Sequence, residues 1–375
     1  MAKKQIILNA FVMNTPGHLA PGQWRHPRNK TENYKKLSFW VDLARLLDEA
    51  GFHAMFIADT LGPYDVYKGP ANVQPVLASE LSFQADEYME VLYKLWEGSF
   101  RDDAVVADHE QGIYIAENTV REINHKGKYF EVPGPHFCEP SSQRTPFLFQ
   151  AGVSEAGNAF GGKHGEAIFI GGQTPEAARK VVDAIREVGR LEGRDPNHIK
   201  VILGIGIIVA ATDEDAQRKK QEYLKYADHE GALALFGGWT GVDLSNTVPG
   251  TDNLPWTKAR IAEFISLGGL GAKAIGSPTA VADELERWVD IAGVDGFNIA
   301  HIHNPGTFED VIEFLLPELR ARGLFRTKVD KEGATAREVF IGKRRLPEDH
   351  YGSQFKWRAG EKIPRYQAVS AKGDA

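Results

Sequence analysis

The stretch LFQAGVSEAG, residues 148–157, has the pattern of a buried strand that runs into a glycine turn and then into a helix. Gly152 follows the strand, Ser154 stands where a helix N-cap is expected, and Gly157 falls in the first helical turn. A capping hydroxyl and the first free N–H groups of a helix can bind an anion such as phosphate. A plain turn with a capped helix has the same pattern, so both interpretations stay open.

Short apolar runs alternate with longer amphipathic runs along the whole chain. The apolar runs predict strands at residues 5–12, 54–59, 146–152, 166–172, 199–210 and 295–300. The amphipathic runs predict helices at residues 34–51, 85–98, 174–193, 212–227, 280–290 and 307–323. Apolar strands that are each followed by a helix favour a parallel sheet, and the closed form is the TIM (β/α)8 barrel, with its site at the C-terminal strand ends.

The count of six strands falls short of the eight that such a barrel needs. No credible strand lies between the second predicted strand and the helix at 85–98, although two βα units take roughly sixty residues. The sequence therefore predicts a barrel that lacks about two βα units near Ser79–Glu80. A second shortening is expected between Asn246 and Trp256.

We expect one barrel domain over residues 1–325, interrupted by two long insertions at about 99–145 and 228–279. Residues 326–375 are polar and are expected to form a loop-like C-terminal tail.

Composition excludes several classes of protein. The 375 residues are 42% hydrophobic and 25% charged, with a net charge of −7 and no basic block, which argues against a nucleic-acid partner. The single cysteine, Cys138, rules out an intrachain disulfide and fits a reducing compartment such as the cytoplasm. No apolar run approaches the roughly 18 residues of a membrane span.

Several polar residues are candidates for a site at the strand ends. Asp59 ends the second strand, where an acid either faces the barrel mouth or caps a loop. His301 and His303 have the i, i+2 spacing that shares a strand face, which suits either a metal-dependent hydrolase or a pocket wall. Trp24 and His26 follow the first strand and belong either to a pocket wall or to a surface loop.

Two glycine motifs have simpler explanations than a nucleotide site. GGLGAKA, residues 268–274, follows a helical run instead of a strand, so it is expected to be a helix end and a loop. GIG, residues 204–206, lies within a strand, where small residues make room for a neighbour.

Longer motifs resemble a known family: LNAFVM, WRHP, FIADTLGPYDVYKGPA, ADEYMEVLYKLWEGSF, INHKGKYFEVPGPHFCEPSSQRTPFLFQAG, FGGWTGVDL and VADELERWVDIAGVDGFNIA. Together they resemble the flavin-dependent monooxygenases of the bacterial-luciferase superfamily. The branch is that of the nitrilotriacetate and dibenzothiophene-sulfone monooxygenases, with the dimethyl-sulfide monooxygenases nearest. The resemblance covers about residues 5–325.

The resemblance implies a luciferase-like TIM barrel with insertions and a two-component enzyme. A separate NADH:FMN oxidoreductase would supply FMN as FMNH2, and O2 would react with it to give a flavin C4a-peroxide. That species would oxygenate a small organosulfur or related xenobiotic compound. The resemblance also implies a homodimer or homotetramer.

The resemblance assigns roles residue by residue. Ser154 matches the serine at the flavin phosphate, and the residues expected around the flavin are Asp59, Gln150, Gly152 and Gly157. The residues expected near the reacting centre, and predicted as catalytic, are Phe11 and His26. The predicted substrate pocket takes Trp24, Trp239, His301 and His303, and no metal is expected.

Two alternatives remain beside the monooxygenase. One, raised by the predicted loss of two βα units, is a truncated non-catalytic flavin-binding homologue. The pair His301 and His303 would instead serve a metal-dependent barrel hydrolase.

Overall fold

The structure is a computed structural model that describes these residues: 4–17, 19–58, 64, 66–68, 85–152, 154–245, 257–328 and 333–358. The chain divides into two compact units. The first unit takes residues 1–79, 169–183 and 201–332, and the second takes residues 80–168, 184–200 and 333–375. Each unit has buried hydrophobic clusters of its own.

The strands are β1 (Ile7–Met13), β2 (Ala54–Ala58), β3 (Val105–Asp108), β4 (Ile113–Ile115), β5 (His125–Lys126), β6 (Glu131–Val132), β7 (Phe149–Ala151), β8 (Ala167–Ile170), β9 (Lys200–Val209), β10 (Ala272–Gly276) and β11 (Gly296–Ala300). The α-helices are α1 (Leu37–Ala50), α2 (Ala85–Gly98), α3 (Glu155–His164), α4 (Pro175–Leu191), α5 (Asp213–Leu224), α6 (His229–Thr240), α7 (Lys258–Ile265), α8 (Pro278–Ala292), α9 (Gly306–Asp310), α10 (Leu316–Ala321) and α11 (Ala336–Ile341). One π-helical turn, Val311–Leu315, joins α9 to α10.

A parallel sheet forms the centre of the first unit. Its strand order is β2-β1-β11-β9-β8-β7, and β10 also pairs with β9. The register sets Phe11 of β1 opposite Phe56 of β2 and Ala300 of β11, and Ala300 opposite Gly206 of β9. Within the described residues the sheet is an open half-barrel whose two end strands are β2 and β7. The prediction of an α/β fold of TIM-barrel type is confirmed in this form.

Residues on both faces of these strands are buried, as expected for a parallel sheet with helices outside and side chains inside. Leu8 and Val12 face outward from β1 and are fully buried. Asn9 faces inward, and its Nδ2 donates a 2.9 Å hydrogen bond to Oδ1 of Asn298, its register partner on β11. This amide pair ties the two central strands together inside the sheet.

The second unit combines α2, two short antiparallel hairpins, the corner between β7 and α3, and the segment 333–358. Arg337 of α11 is fully buried and forms a bidentate ion pair with the fully buried Glu166, at 2.6 and 2.8 Å. The same guanidinium donates to the carbonyls of Thr145 and Pro146. A buried ion pair of this kind needs such additional hydrogen bonds to offset its desolvation.

Two details differ from the sequence predictions, and two further predictions stay untested. The segment 333–358 is not a loop-like tail, because α11 and the 3-10 helix Tyr351–Phe355 pack into the second unit, where Phe355 is buried. The loop predicted at 268–274 is wrong from Ala272 onward, where β10 begins. The predicted gap near Ser79–Glu80 and the shortening between Asn246 and Trp256 fall mainly outside the described residues, so both stay predictions.

Among the described residues, no helix has the length and apolar character needed to cross a bilayer.

The buried pair between Arg337 and Glu166 predicts a large loss of stability when one partner is removed. Arg337→Met leaves the Glu166 carboxylate buried without its cation, so we expect the free energy of unfolding to fall by about 3–5 kcal/mol. Equilibrium urea denaturation measures this change. Lys126→Ala removes the exposed pair of Lys126 with Glu131 and serves as the control, with an expected change below about 0.5 kcal/mol. Equal losses in the two variants would contradict the prediction.

Candidate functional site

The first unit contains a cavity of about 340 Å3 inside the half-barrel. It is lined by the strands β1, β2, β8, β9 and β11 and by the segments around Tyr64, Trp239 and Gly268. The lining residues are Phe11, Met13, Leu19, Ala58, Tyr64, Phe169, Gly171, Gly204, Ile205, Trp239, Gly268, Leu270, Gly271 and Ala300. None of these residues carries a charge, so the cavity has a mainly apolar lining.

Three phenylalanine rings meet at the wall of this cavity. The ring centroids of Phe11 and Phe169 lie 5.1 Å apart, those of Phe11 and Phe56 lie 5.4 Å apart, and those of Phe56 and Phe169 lie 5.8 Å apart. Gly204 of β9 makes room for Phe169, because a Cβ atom at Gly204 would lie 2.9 Å from its Cε2 atom. The prediction that small residues in GIG accommodate a neighbour is confirmed.

The polar side-chain groups of the cavity belong to one pair, Tyr64 and Trp239. The indole Nε1 of Trp239 donates to the Tyr64 hydroxyl oxygen at 2.5 Å. The Tyr64 ring lies where a Cβ at Gly238 would be, and the Trp239 ring lies where a Cβ at Gly269 would be. Burial raises the pKa of Tyr64, so its hydroxyl stays protonated and can donate to a ligand.

Two of the predicted pocket and catalytic residues line this cavity and four do not. Phe11 and Trp239 line it. Trp24 lies on the 3-10 helix Gln23–Arg25 and is 46% exposed. His26, His301 and His303 are buried but do not line the cavity. Asp59, expected near the flavin, lies outside the described residues.

His26 and His303 form a stacked pair instead of a pocket wall. Their ring centroids are 3.9 Å apart with an interplanar angle of 17°. The Nε2 of His303 donates to Oε1 of Gln23 at 2.8 Å, since the amide nitrogen of Gln23 is itself donating to the carbonyl of Tyr223. Burial, followed by the charges of His26 and Arg28, lowers the pKa of His303 to about 2. His303 is therefore neutral at physiological pH.

His301 has a different environment from His303. The strand β11 ends at Ala300, so the interpretation that the two histidines share a strand face is wrong. The Nδ1 of His301 donates to the carbonyl of Phe11 at 3.1 Å, and burial lowers the pKa of the ring. Within the described residues, no three His, Cys, Asp or Glu side chains gather as metal ligands would, so nothing there favours a metal-dependent hydrolase.

The corner at 148–157 belongs to the second unit and has the predicted strand–turn–helix form. Gly152 follows β7 with φ 116°, and the Ser154 hydroxyl caps α3 by accepting from the backbone N–H of Gly157 at 3.1 Å. A Cβ at Gly157 would lie 3.1 Å from that hydroxyl and 3.2 Å from the carbonyl oxygen of Gly152. Gln150 precedes the turn, and its Nε2 donates to the carbonyl of Ala151. The corner is a tight, capped helix start of the kind that binds anions.

Sequence reasoning missed several residues that shape the cavity, namely Tyr64, Phe56, Phe169 and Gly171. Phe56 and Phe169 lie in predicted strands, and the alternation of side chains along a strand could have predicted that both point into the barrel. Tyr64 lies in a segment without a regular pattern, and its partner Trp239 is 175 residues away in the sequence.

Comparison with known proteins identifies the family. The sequence profile of luciferase-like monooxygenases matches residues 84–295. A long-chain alkane monooxygenase of Geobacillus thermodenitrificans is 39% identical over 94% of this chain and 98% of its own. A dimethyl-sulfide monooxygenase of Hyphomicrobium sulfonivorans is 36% identical over 94% of each chain. The crystal structure of DmoA from Hyphomicrobium sulfonivorans superposes with a TM-score of 0.90 at 34% identity, over 99% of each chain.

One of these alignments bears on the length of the chain. The alignment with the alkane monooxygenase extends over 437 positions, more than the 375 residues of this chain. That relative therefore carries segments that this chain lacks, in agreement with the predicted shortening.

The close contact between Phe169 and Gly204 predicts that even a small side chain at position 204 lowers stability. Gly204→Ala places a methyl group 2.9 Å from the Phe169 ring, so the ring must shift, and we expect the free energy of unfolding to fall by about 1–3 kcal/mol. Equilibrium urea denaturation measures the loss.

A double variant tests whether the loss comes from that contact. Gly204→Ala combined with Phe169→Leu should lose less stability than the sum of the two single variants, because leucine leaves space for the methyl group. Strictly additive losses would show that the two positions do not interact.

Proposed function

The chain belongs to the luciferase-like monooxygenase family, and from this premise we propose that it oxygenates a small, uncharged, apolar compound with reduced FMN and O2. The general activity, that of a flavin-dependent monooxygenase, follows from the family. Our proposal concerns the substrate class and the role of each residue in flavin binding. The observation that carries it is the apolar cavity of the first unit.

The cavity suits the ring system of a flavin. Its volume of about 340 Å3 lies within the range of roughly 300–1,000 Å3 that small-molecule pockets occupy. Aromatic rings of Phe11, Phe169 and Trp239 and exposed backbone at glycines form flat, apolar surfaces. Reduced flavin, when bound, supplies two electrons and activates O2, so that one oxygen atom enters the substrate and the other leaves as water.

The residues of the chain would bind and orient the flavin and the substrate, and they would exclude water from the cavity. The uncharged wall offers no partner to a carboxylate substrate, so we expect a thioether or a hydrocarbon to bind in preference. The names of two similar relatives, a dimethyl-sulfide monooxygenase and a long-chain alkane monooxygenase, agree with this preference. Tyr64 would donate a hydrogen bond to an oxygen atom within the cavity.

The neutral histidines fit a site that does not depend on proton transfer by imidazole. His303 has a pKa of about 2 and burial also lowers the pKa of His301. The proposal for His26 and Phe11 is accordingly that they position the wall of the half-barrel, with Phe11 in direct contact with the ligand.

The Ser154 corner of the second unit remains our proposed seat for the flavin phosphate, with Gln150, Gly152 and Gly157 around it. Its support is the capped helix start and the tight glycine turn. A separate NADH:FMN oxidoreductase is the proposed partner, because one relative of this chain is named as component A of nitrilotriacetate monooxygenase, which indicates a system of more than one component. Assembly as a homodimer or homotetramer stays a prediction.

The proposed activity is tested by reconstitution. Purified protein is mixed with FMN, NADH, an NADH:FMN oxidoreductase and O2, and dimethyl sulfide or a short alkane is supplied. We expect an oxygenated product by gas chromatography in proportion to the NADH consumed, after correction for hydrogen peroxide. A protein that binds FMN but gives no product with either compound would contradict the proposal and favour the non-catalytic homologue.

The phosphate seat is tested by comparing two flavins. Ser154→Ala removes the hydroxyl at the proposed seat, so we expect the dissociation constant for FMN to rise about tenfold while that for riboflavin, which has no phosphate, is unchanged. Quenching of flavin fluorescence measures both constants.

A second capping serine or threonine provides the control for this comparison. Thr212→Ala removes the N-cap of α5 in the first unit, so it should lower stability without changing the affinity for either flavin. Equal weakening of FMN and riboflavin by Ser154→Ala would show that Ser154 only caps its helix.

A further inference from the structure

Gly171 stands directly after the last residue of β8 and lines the cavity of the first unit. It is exposed to the open space of the cavity. A Cβ atom added at this position would meet no heavy atom of the described residues within 4 Å. The described part of the chain therefore leaves room for a side chain that the sequence does not supply.

The backbone conformation does not require glycine here either. Gly171 is not among the glycines with positive φ, so any L-residue can adopt its conformation. Six further glycines of the described residues would also place an added Cβ in open space, and all of them have φ between 66° and 76°. They are Gly112, Gly193, Gly241, Gly323, Gly333 and Gly342. At each of those six positions the positive φ favours glycine, whereas the backbone conformation at Gly171 does not.

The other glycines of the cavity wall differ from Gly171 in conformation or in contacts. Gly204 makes room for the Phe169 ring, Gly268 has φ 92°, and a Cβ at Gly271 would lie 3.4 Å from the carbonyl oxygen of Gly204. Glycine at a strand end costs conformational entropy relative to alanine, so a glycine without conformation or packing to explain it calls for another constraint. A ligand that approaches the backbone closely is such a constraint.

We propose that Gly171 is a ligand-contact position, at which the flat ring of the bound flavin lies directly against the backbone that follows β8. This inference rests on the proposed function and adds a residue to its site. A side chain at position 171 would occupy the volume that the ring needs, while the empty protein would accept it without strain.

The neighbouring glycine offers a matched control. A Cβ at Gly172 would point away from the cavity, toward Ala178, Leu203 and Trp288, at 3.4, 3.5 and 3.6 Å. These are ordinary contacts, and Gly172 is also absent from the glycines with positive φ. Gly171→Ala and Gly172→Ala thus make the same chemical change at adjacent residues, one inside the cavity and one outside it.

The experiment compares Gly171→Ala, Gly171→Val and Gly172→Ala with the unchanged protein. Without ligand, we expect the melting temperatures of the Gly171 variants to equal or slightly exceed that of the unchanged protein. The dissociation constant for FMN, from fluorescence quenching, should rise about tenfold for Gly171→Ala and about a hundredfold for Gly171→Val, and stay the same for Gly172→Ala.

Riboflavin serves as a second probe, because it carries the ring without the phosphate. We expect Gly171→Val to weaken FMN and riboflavin by the same factor, in contrast to Ser154→Ala. Weakening of FMN alone would place the phosphate, and not the ring, at Gly171 and overturn the inference.

Two further outcomes separate this inference from the proposed function. If the unchanged protein binds FMN and Gly171→Val binds it equally well, the inference is wrong and the proposed function stands. If the unchanged protein binds neither FMN nor, under anaerobic conditions, FMNH2, both are wrong. A fall in the melting temperature of Gly171→Ala without ligand would also overturn the inference, since it would show that the fold itself requires glycine at position 171.

Discussion

The contact among Phe11, Phe56 and Phe169 is the constraint on which the first unit depends. These rings come from β1, β2 and β8, and β2 and β8 are not neighbours in the sheet. The three rings therefore connect strands inside the half-barrel that no direct backbone pairing joins. Gly204 makes this contact possible by leaving the space that the Phe169 ring fills. Phe11 and Phe169 also line the cavity, so one packing arrangement serves both the fold and the candidate site.

The residues that line the cavity of the first unit are uncharged, whereas the second unit contains a buried ion pair. The lining residues of the cavity are uncharged, and the buried histidines nearby are held neutral by desolvation. The second unit instead buries a full ion pair between Arg337 and Glu166, with backbone carbonyls completing the guanidinium hydrogen bonds. A reaction that relies on a flavin needs exclusion of water and orientation more than acid–base side chains. The uncharged wall of the first unit meets that need, and so it agrees with the family to which the chain belongs.

The fold was largely predictable because the alternation of apolar strands and amphipathic helices is a local property of the sequence. The strand predicted at 199–210 is observed as Lys200–Val209, and the strand at 295–300 as Gly296–Ala300. The strand β10 was missed because its glycine and alanine residues favour no strand on their own, and it forms by pairing Ala272 with Ile205 of β9. The site was less predictable because its parts are distant in sequence. Trp239 was found through the family resemblance, whereas Tyr64 acquires its role only through contact with Trp239.

The ion pair of the second unit also has a consequence for the order in which the protein is made. Glu166 leaves the ribosome 171 residues before Arg337, the residue that neutralises it. During translation the core around Glu166 therefore stays incomplete until the segment 333–358 emerges. Until then the Glu166 carboxylate lacks the cation that neutralises it in the folded unit, so the packing around it can be completed only after the last part of that unit has been synthesised.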